Sequence, residues 1–258
     1  MLFFKRLKSF LFRLDNLKID KSKIYSKFLY FFLLKFVNFY RWIIAIFLKN
    51  KAKSLNEFFN FLNIYWYGGN EGHTQQIQEE TQLLKDKSKN PISILEIGFN
   101  GGHSSETFLN SNNKNIVESV DIGYHHYVNF GNYYLKNKYK TRFRLLVGKS
   151  SIVLKELIRK KKMYDLIFID GSHEYTDVII DLTLSQELSN KKTLIILDDV
   201  YLNKQLDASE NFDSHNIGPT KAWKEFIDNN LIIQTGYVEF KSTNTNKRSI
   251  VYGHFKEL

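Results

Sequence analysis

Ile94-Leu-Glu-Ile-Gly-Phe-Asn-Gly-Gly-His-Ser-Ser105 decides the fold. An apolar strand breaks at once into a glycine turn and then into a helix for which Ser104 or Ser105 supplies the N-cap. Gly98, Gly101 and Gly102 let backbone N–H groups approach a ligand without Cβ interference, the pattern of a nucleotide-type pocket. An isolated glycine turn is equally an ordinary strand-to-helix connection, so its neighbours must decide. Outward from it, Ile116-Val-Glu-Ser-Val-Asp121 reads as a second strand. It ends in a carboxylate roughly 20 residues past the turn, placed to accept hydrogen bonds from both hydroxyls of a ribose. The glycines do not follow G-x-G-x-x-G, and Glu96 lies inside the strand, which favours a ligand without pyrophosphate.

The acid Glu96, the glycine turn and the strand ending in Asp121 resemble the first two motifs of class I S-adenosylmethionine-dependent methyltransferases. Downstream, Arg144-Leu-Leu-Val-Gly-Lys-Ser-Ser151 reads as a strand and turn, with Leu154, Leu157 and Ile158 at helical spacing beyond it. Asp165-Leu-Ile-Phe-Ile-Asp170 has the continuous apolar run of a central parallel strand covered on both faces. Its Asp170 lies at the carboxyl edge, where open α/β sheets place their ligands. A helix over about 175–189 leads to Thr193-Leu-Ile-Ile-Leu197 and then to Asp198-Asp199. Carboxylates crowded at one sheet edge repel unless a cation or shared protons compensate, and a hard divalent ion such as magnesium takes oxygen ligands of this kind. The plainer alternative has Asp198 or Asp199 capping the next turn and Asp170 bonded to backbone.

The order of glycine turn, ribose acid, Gly-x-Ser turn, Phe168-Ile-Asp-Gly-Ser-His173 and Leu197-Asp-Asp-Val200 is similar to metal-dependent O-methyltransferases of the catechol and sugar type, over about residues 70–255. The resemblance implies metal ligands at Asp170, Asp198 and Asp199, the last an Asp where catechol enzymes have Asn. It implies cofactor contacts from Glu96, Gly98, Asn100, Gly102, Asp170, Asp121 (ribose), Ser150 (near the adenine) and Ser104 (methionine carboxylate). Residues 69–73 lie where that group closes over the methionine end. Catechol enzymes carry a lysine base three residues after the first metal acid, whereas this chain has His173. Histidine titrates near neutrality and suits proton removal, so His173 joins Asp170 as a candidate catalytic residue. Packing on the turn or direct metal ligation are the alternatives for it, with Glu174 and Asp177 as reserve bases. The expected acceptor is a small molecule or glycan with adjacent oxygens, a vicinal diol or catechol, chosen by the loop 201–217.

Gly218-Pro-Thr-Lys-Ala-Trp223 predicts a helix capped by Thr220 and reaching about residue 229. His215, Lys221 and Trp223 either line the acceptor site or serve packing and surface. Segments 231–240 and 248–255 predict an antiparallel hairpin at the sheet edge. The expected architecture is α/β: a doubly wound, mostly parallel seven-stranded Rossmann-like sheet with an antiparallel C-terminal hairpin, spanning residues 54–258, behind a helical extension at residues 1–53.

That extension differs in kind. Residues 1–53 hold 13 Lys or Arg against two Asp, leaving 24 basic and 25 acidic residues of the chain's 37 and 27 for the remainder. The net charge of +10 therefore belongs to the extension, and a nearly neutral catalytic half argues against nucleic acid as substrate. The apolar run 28–48 is interrupted at three-residue spacing by Lys35, Asn38 and Arg41, a polar sector that favours an interfacial helix on an anionic membrane surface. A cap packed on the domain or making a homo-oligomer contact, and a true membrane span, are the other readings. No small-residue cleavage site follows the run, against a signal peptide, and the absence of cysteine fits a cytoplasmic protein, peripheral at most to a membrane. Two other function classes fit the same motifs: a metal-independent N- or nucleic-acid methyltransferase, and a non-catalytic binding module at a membrane surface.

Overall fold

The computed structural model describes residues 24–62, 64, 78–90, 92–202, 214–240 and 248–256. Three helices come first: α1 (Ile24–Leu48), α2 (Leu55–Leu62) and α3 (Gln78–Lys87). The alternating part follows as β1 (Ser93–Ile97), α4 (His103–Ser111), β2 (Ile116–Asp121), α5 (His126–Tyr139), β3 (Phe143–Val147), α6 (Ser150–Arg159), β4 (Tyr164–Ile169), α7 (Tyr175–Glu187) and β5 (Ser189–Asp198). The chain then runs through α8 (Ser214–Asp228), β6 (Ile232–Phe240) and β7 (Arg248–Phe255).

The strands form one sheet in the order β3-β2-β1-β4-β5-β7-β6, parallel from β3 to β5 and antiparallel at β5/β7 and β6/β7. This is the expected architecture. Winding proceeds outward from β1 to β3 and then restarts at β4 on β1's other side, so the switch point lies between the carboxyl ends of β1 and β4. The period-2 alternation of strands feeds two cores. Ile94, Leu166 and Ile196 face the layer holding Phe108, Phe130 and Tyr134, while Leu95, Ile167 and Ile195 face Leu154, Leu182 and Trp223. The central strands are apolar on both faces because both faces are covered.

Three local expectations are corrected. Helix α4 starts at His103 behind Gly102, with no side-chain cap, because the Ser104 and Ser105 hydroxyls are drawn to Glu96 instead. Helix α8 starts at Ser214 and carries Pro219 inside it, and Thr220 Oγ1 accepts the Tyr201 N–H (2.8 Å) rather than capping the helix. In α1 the polar sector does not all face water: Lys35 is exposed, but Arg41 is buried, donating from Nε to the Leu62 carbonyl (3.1 Å) and from Nη1 to Asn38 Oδ1 (3.4 Å). A buried guanidinium is tolerated only where its donors find acceptors, and α2's free C-terminal carbonyl supplies one. Val37, Ile44 and Ala45 join the core, and Trp42 packs on Phe130 and Tyr133 (ring centroids 4.7 and 5.2 Å), so α1 is docked on the domain. No described helix is long and apolar enough to cross a membrane.

Candidate active site

The candidate site is built at the switch point by two turns that lock together. Gly98 N–H donates to the Val120 carbonyl (2.9 Å), and Asp170 N–H donates to the Ile97 carbonyl (2.8 Å). A Cβ on Gly98, at φ +102°, would lie 1.9 Å from the Asp170 carbonyl oxygen. Glycine is therefore required there by the neighbouring turn itself, before any ligand arrives.

Beneath the turn, Glu96 is fully buried and receives the hydroxyls of Ser104, Ser105 and Ser119. Burial pushes its carboxyl up to about 7 against the pull of those three donors. Glu96 and Ser104, both expected as cofactor contacts, are thus bonded to each other beside the turn. Asn100 holds a left-handed backbone conformation (φ 48°), common for Asn, and its N–H donates to Asp121 Oδ2 (2.8 Å). Gly123 N–H donates to the other oxygen (2.7 Å), so Asp121 is fixed at the end of β2 beside the turn. Next to it Ile122 and Val147 are about 60% exposed (61% and 62%), large apolar side chains left open where the carboxyl ends of β2 and β3 meet. Ser150 begins α6 just beyond.

The acidic edge departs from the expected ligand set. Donor atoms of Asp170, His173 and Asp199 lie within 4.8 Å of one another. Asp198 is not among them; its Oδ1 accepts the Asp199 N–H (2.8 Å) and its Oδ2 accepts from Arg248 Nη2 (2.5 Å). Arg248 also faces Glu80 (3.6 Å) and Asp199 (3.9 Å). Glu80, from α3, is buried, and its Oε2 has no hydrogen-bond partner among the described residues. Asp199 adopts φ 58°, which turns its carboxylate back toward His173, whose Nε2 is 3.0 Å from Asp199 Oδ2.

Charge explains the titration. Burial and the Asp198 charge hold Asp170 and Glu80 well above the usual carboxylate range, and burial raises Asp198 to about 6 despite Arg248. Burial also pushes Asp199 up, but the His173 hydrogen bond and the Arg248 charge outweigh it and hold that group below its ordinary value. The Asp199 bond raises His173, and the Asp198 charge keeps Arg248 protonated. Were all four carboxylates ionised, they would outnumber the single guanidinium and the imidazole beside them, and negative charge would be in excess. That excess, two carboxylates and an imidazole in chelating reach, and an unpartnered buried oxygen nearby fit a hard divalent cation.

Glu80, Arg248 and Ile122 escape the sequence reading. Arg248 reaches Asp198 from 50 residues away, which leaves no local spacing to notice, whereas an isoleucine directly after a strand-ending acid is a faint signal. His215 lies beside His173 (ring centroids 5.0 Å), Lys221 lies over the Tyr175 ring (4.3 Å), and Trp223 is fully buried with Nε1 donating to Gln234. Of those three, only His215 is at the site. Residues 69–73 and 203–213 lie outside the described residues.

Residues 95–200 match the model of a methyltransferase domain family. That stretch, about two fifths of the chain, is similar to a methyltransferase domain. The chain is similar in fold to an O-methyltransferase from Bacillus cereus solved with SAH (15% identity, TM-score 0.60, 82% of this chain and 97% of that one). It is also similar to the O-methyltransferase TomG from Streptomyces achromogenes solved with SAM (16%, TM-score 0.57, 69% and 80%). The N-methyltransferase NodS from Bradyrhizobium japonicum has the same fold (10%, TM-score 0.50, 70% and 96%), so the fold alone does not choose the atom that is methylated. No curated protein matches the chain.

Proposed function

We propose that this methyltransferase domain transfers the methyl group of S-adenosylmethionine to an oxygen of a small molecule or glycan bearing two adjacent hydroxyls, with a divalent cation at the acidic edge. The observation that carries the reading is the chelating triplet Asp170, His173 and Asp199 beside the pocket formed by the glycine turn and Asp121. The solved O-methyltransferases that hold SAH or SAM in this fold support the cofactor.

Asp121, held by two backbone N–H groups, is the acceptor for the ribose hydroxyls, and Ile122 and Val147 offer the apolar surface that an adenine ring needs. S-adenosylmethionine, when bound, supplies an electrophilic methyl group on a sulfonium. A cation held by Asp170, His173 and Asp199 would polarise the acceptor oxygen and orient a diol by chelation. The protein's remaining task is alignment of nucleophile, methyl and sulfur. Asp198 and Arg248 neutralise each other behind this edge and keep Asp199 in its left-handed turn.

A second reading has its own observation. His173 and Asp199, 3.0 Å apart, form the pair in which a carboxylate orients an imidazole base, and Arg248 supplies a fixed positive charge. That arrangement removes the acceptor proton without metal.

The deciding experiment is turnover of labelled S-adenosylmethionine with diol sugars and catechols, with and without chelator. Loss of activity in chelator, its return with magnesium or manganese, and calorimetric S-adenosylmethionine binding that survives Asp170→Ala are the expected results. Full activity in excess chelator rejects the cation.

A further inference from the structure

We infer that the outer face of α1 is a docking surface for an anionic lipid bilayer, on which the protein lies with this helix parallel to the membrane plane. The inner face of α1 is used up in packing on α2 and α5 through Val37, Arg41, Ile44 and Ala45. The outer face is not polar. Phe36, Phe39, Ile43, Ile46 and Phe47 are exposed by 36 to 65%, at helical spacings that put them on one stripe roughly 16 Å long. A helix apolar on both faces, with only one of them covered by its own domain, leaves a contiguous patch that monomeric surfaces rarely carry without a partner.

Charge selects the partner. Lys35 and Lys51 are exposed at the two ends of the stripe, and Lys49 is half-buried, with Nζ 5.3 Å from the Tyr133 ring centroid. They belong to the 13 basic residues that residues 1–53 hold against two acidic ones, while the rest of the chain is nearly neutral. Aromatic side chains with lysines along their border are what a headgroup layer accepts, the rings below the phosphates and the ammonium groups among them. A second copy of the chain is the poorer occupant, because face-to-face pairing would bring two segments of net +11 together. Residues 1–23, with seven basic and two acidic residues, would meet the same repulsion. Spanning is excluded for this helix by its buried Arg41, whose bond to Leu62 fixes one side to the domain.

The surface is independent of the acidic site, so it stands or falls without the methyl-transfer reading. Its test is co-flotation of the full chain with vesicles of phosphatidylcholine alone, or mixed with phosphatidylglycerol, at low and high salt. The expected result is flotation with the mixed vesicles only, reversed by salt. Phe39→Ser with Phe47→Ser, both at exposed positions, is expected to lower partitioning on the order of 10²-fold while the circular dichroism and melting temperature stay unchanged. Lys49→Glu with Lys51→Glu should weaken binding to anionic vesicles and flatten its salt dependence. Absence of flotation, equal flotation with neutral vesicles, or an unaffected double-serine variant overturns the inference. So does a dimer in analytical ultracentrifugation that the serine substitutions dissolve, which would assign the face to a second copy.

Discussion

Arg248 Nη2 donates to Asp198 Oδ2 across 2.5 Å, so a carboxylate that the family resemblance implies as a metal ligand is paired with a guanidinium. A strand-ending Asp-Asp pair offers two carboxylates, but only Asp199, turned by its left-handed backbone, faces His173. The guanidinium of β7 compensates the other.

Arg248→Ala therefore leaves Asp198, Glu80 and Asp170 facing one another with no fixed cation. Loss of one partner of a buried pair is expected to cost about 3 kcal/mol in chelator. Manganese should recover more stability in the variant than in the parent protein, since the uncompensated carboxylates attract it. Thermal melts of both proteins with and without manganese check this. Identical melts in chelator would show that Arg248 is not the counter-charge.

Asp121→Asn keeps the size of the side chain and one carbonyl acceptor but loses the charge. S-adenosylmethionine affinity is expected to fall about 10- to 100-fold, the worth of hydrogen bonds to a charged acceptor. Calorimetry on the folded variant reads it directly. An unchanged affinity removes Asp121 from the ribose position.

Glu96 gives a stability test with a defined sign. Its carboxyl is raised from 4.5 to about 7 in the folded chain, so the native state holds its proton more tightly than the unfolded one. The stabilising effect of that proton is complete below the unfolded value and is lost as pH climbs through the folded one, a swing of about 3 kcal/mol between about pH 4.5 and 7. Glu96→Gln removes this component while leaving an acceptor for the serines. Urea unfolding of both proteins at the two ends of that window should show a smaller decline for the variant, and equal declines would mean that Glu96 does not titrate there.

The parallel strands were legible because burial on both faces writes itself as short unbroken apolar runs: Ile116–Asp121 is bounded in the sequence as it is in the structure, and Tyr164–Ile169 within one residue. The hairpin was legible from its two β-rich segments. Polar positions were harder, because spacing along a chain does not say which way a side chain turns. Arg41 reads as part of a solvent-facing sector and is buried, since an acceptor at the end of α2 rewards it. Gly98 reads as an opening for ligand, yet it is required first by the Asp170 carbonyl, so Gly98→Val is expected to disturb the β1–β4 junction as well as binding. The link between Arg248 and Asp198 has no signature, because only the antiparallel placement of β7 beside β5 brings them together.

His173 is the residue whose substitution separates the two chemical readings. As a cation donor beside Asp170 and Asp199, its replacement by Ala should weaken manganese binding at least about tenfold by calorimetry, while S-adenosylmethionine binds as before, and turnover should stop in chelator. As a metal-free base oriented by Asp199, it should leave turnover intact in chelator. The rate should then rise with pH through a histidine value lifted above 6.5, since the bond from Asp199 favours the protonated imidazole and only the neutral ring accepts a proton. Asp199→Asn keeps an acceptor but removes the negative charge that favours the imidazolium, so the rise should move to lower pH while the maximum rate falls by roughly 10² to 10⁴. A rate independent of both chelator and His173→Ala would reject both roles and pass the proton to Glu174, Asp177 or solvent.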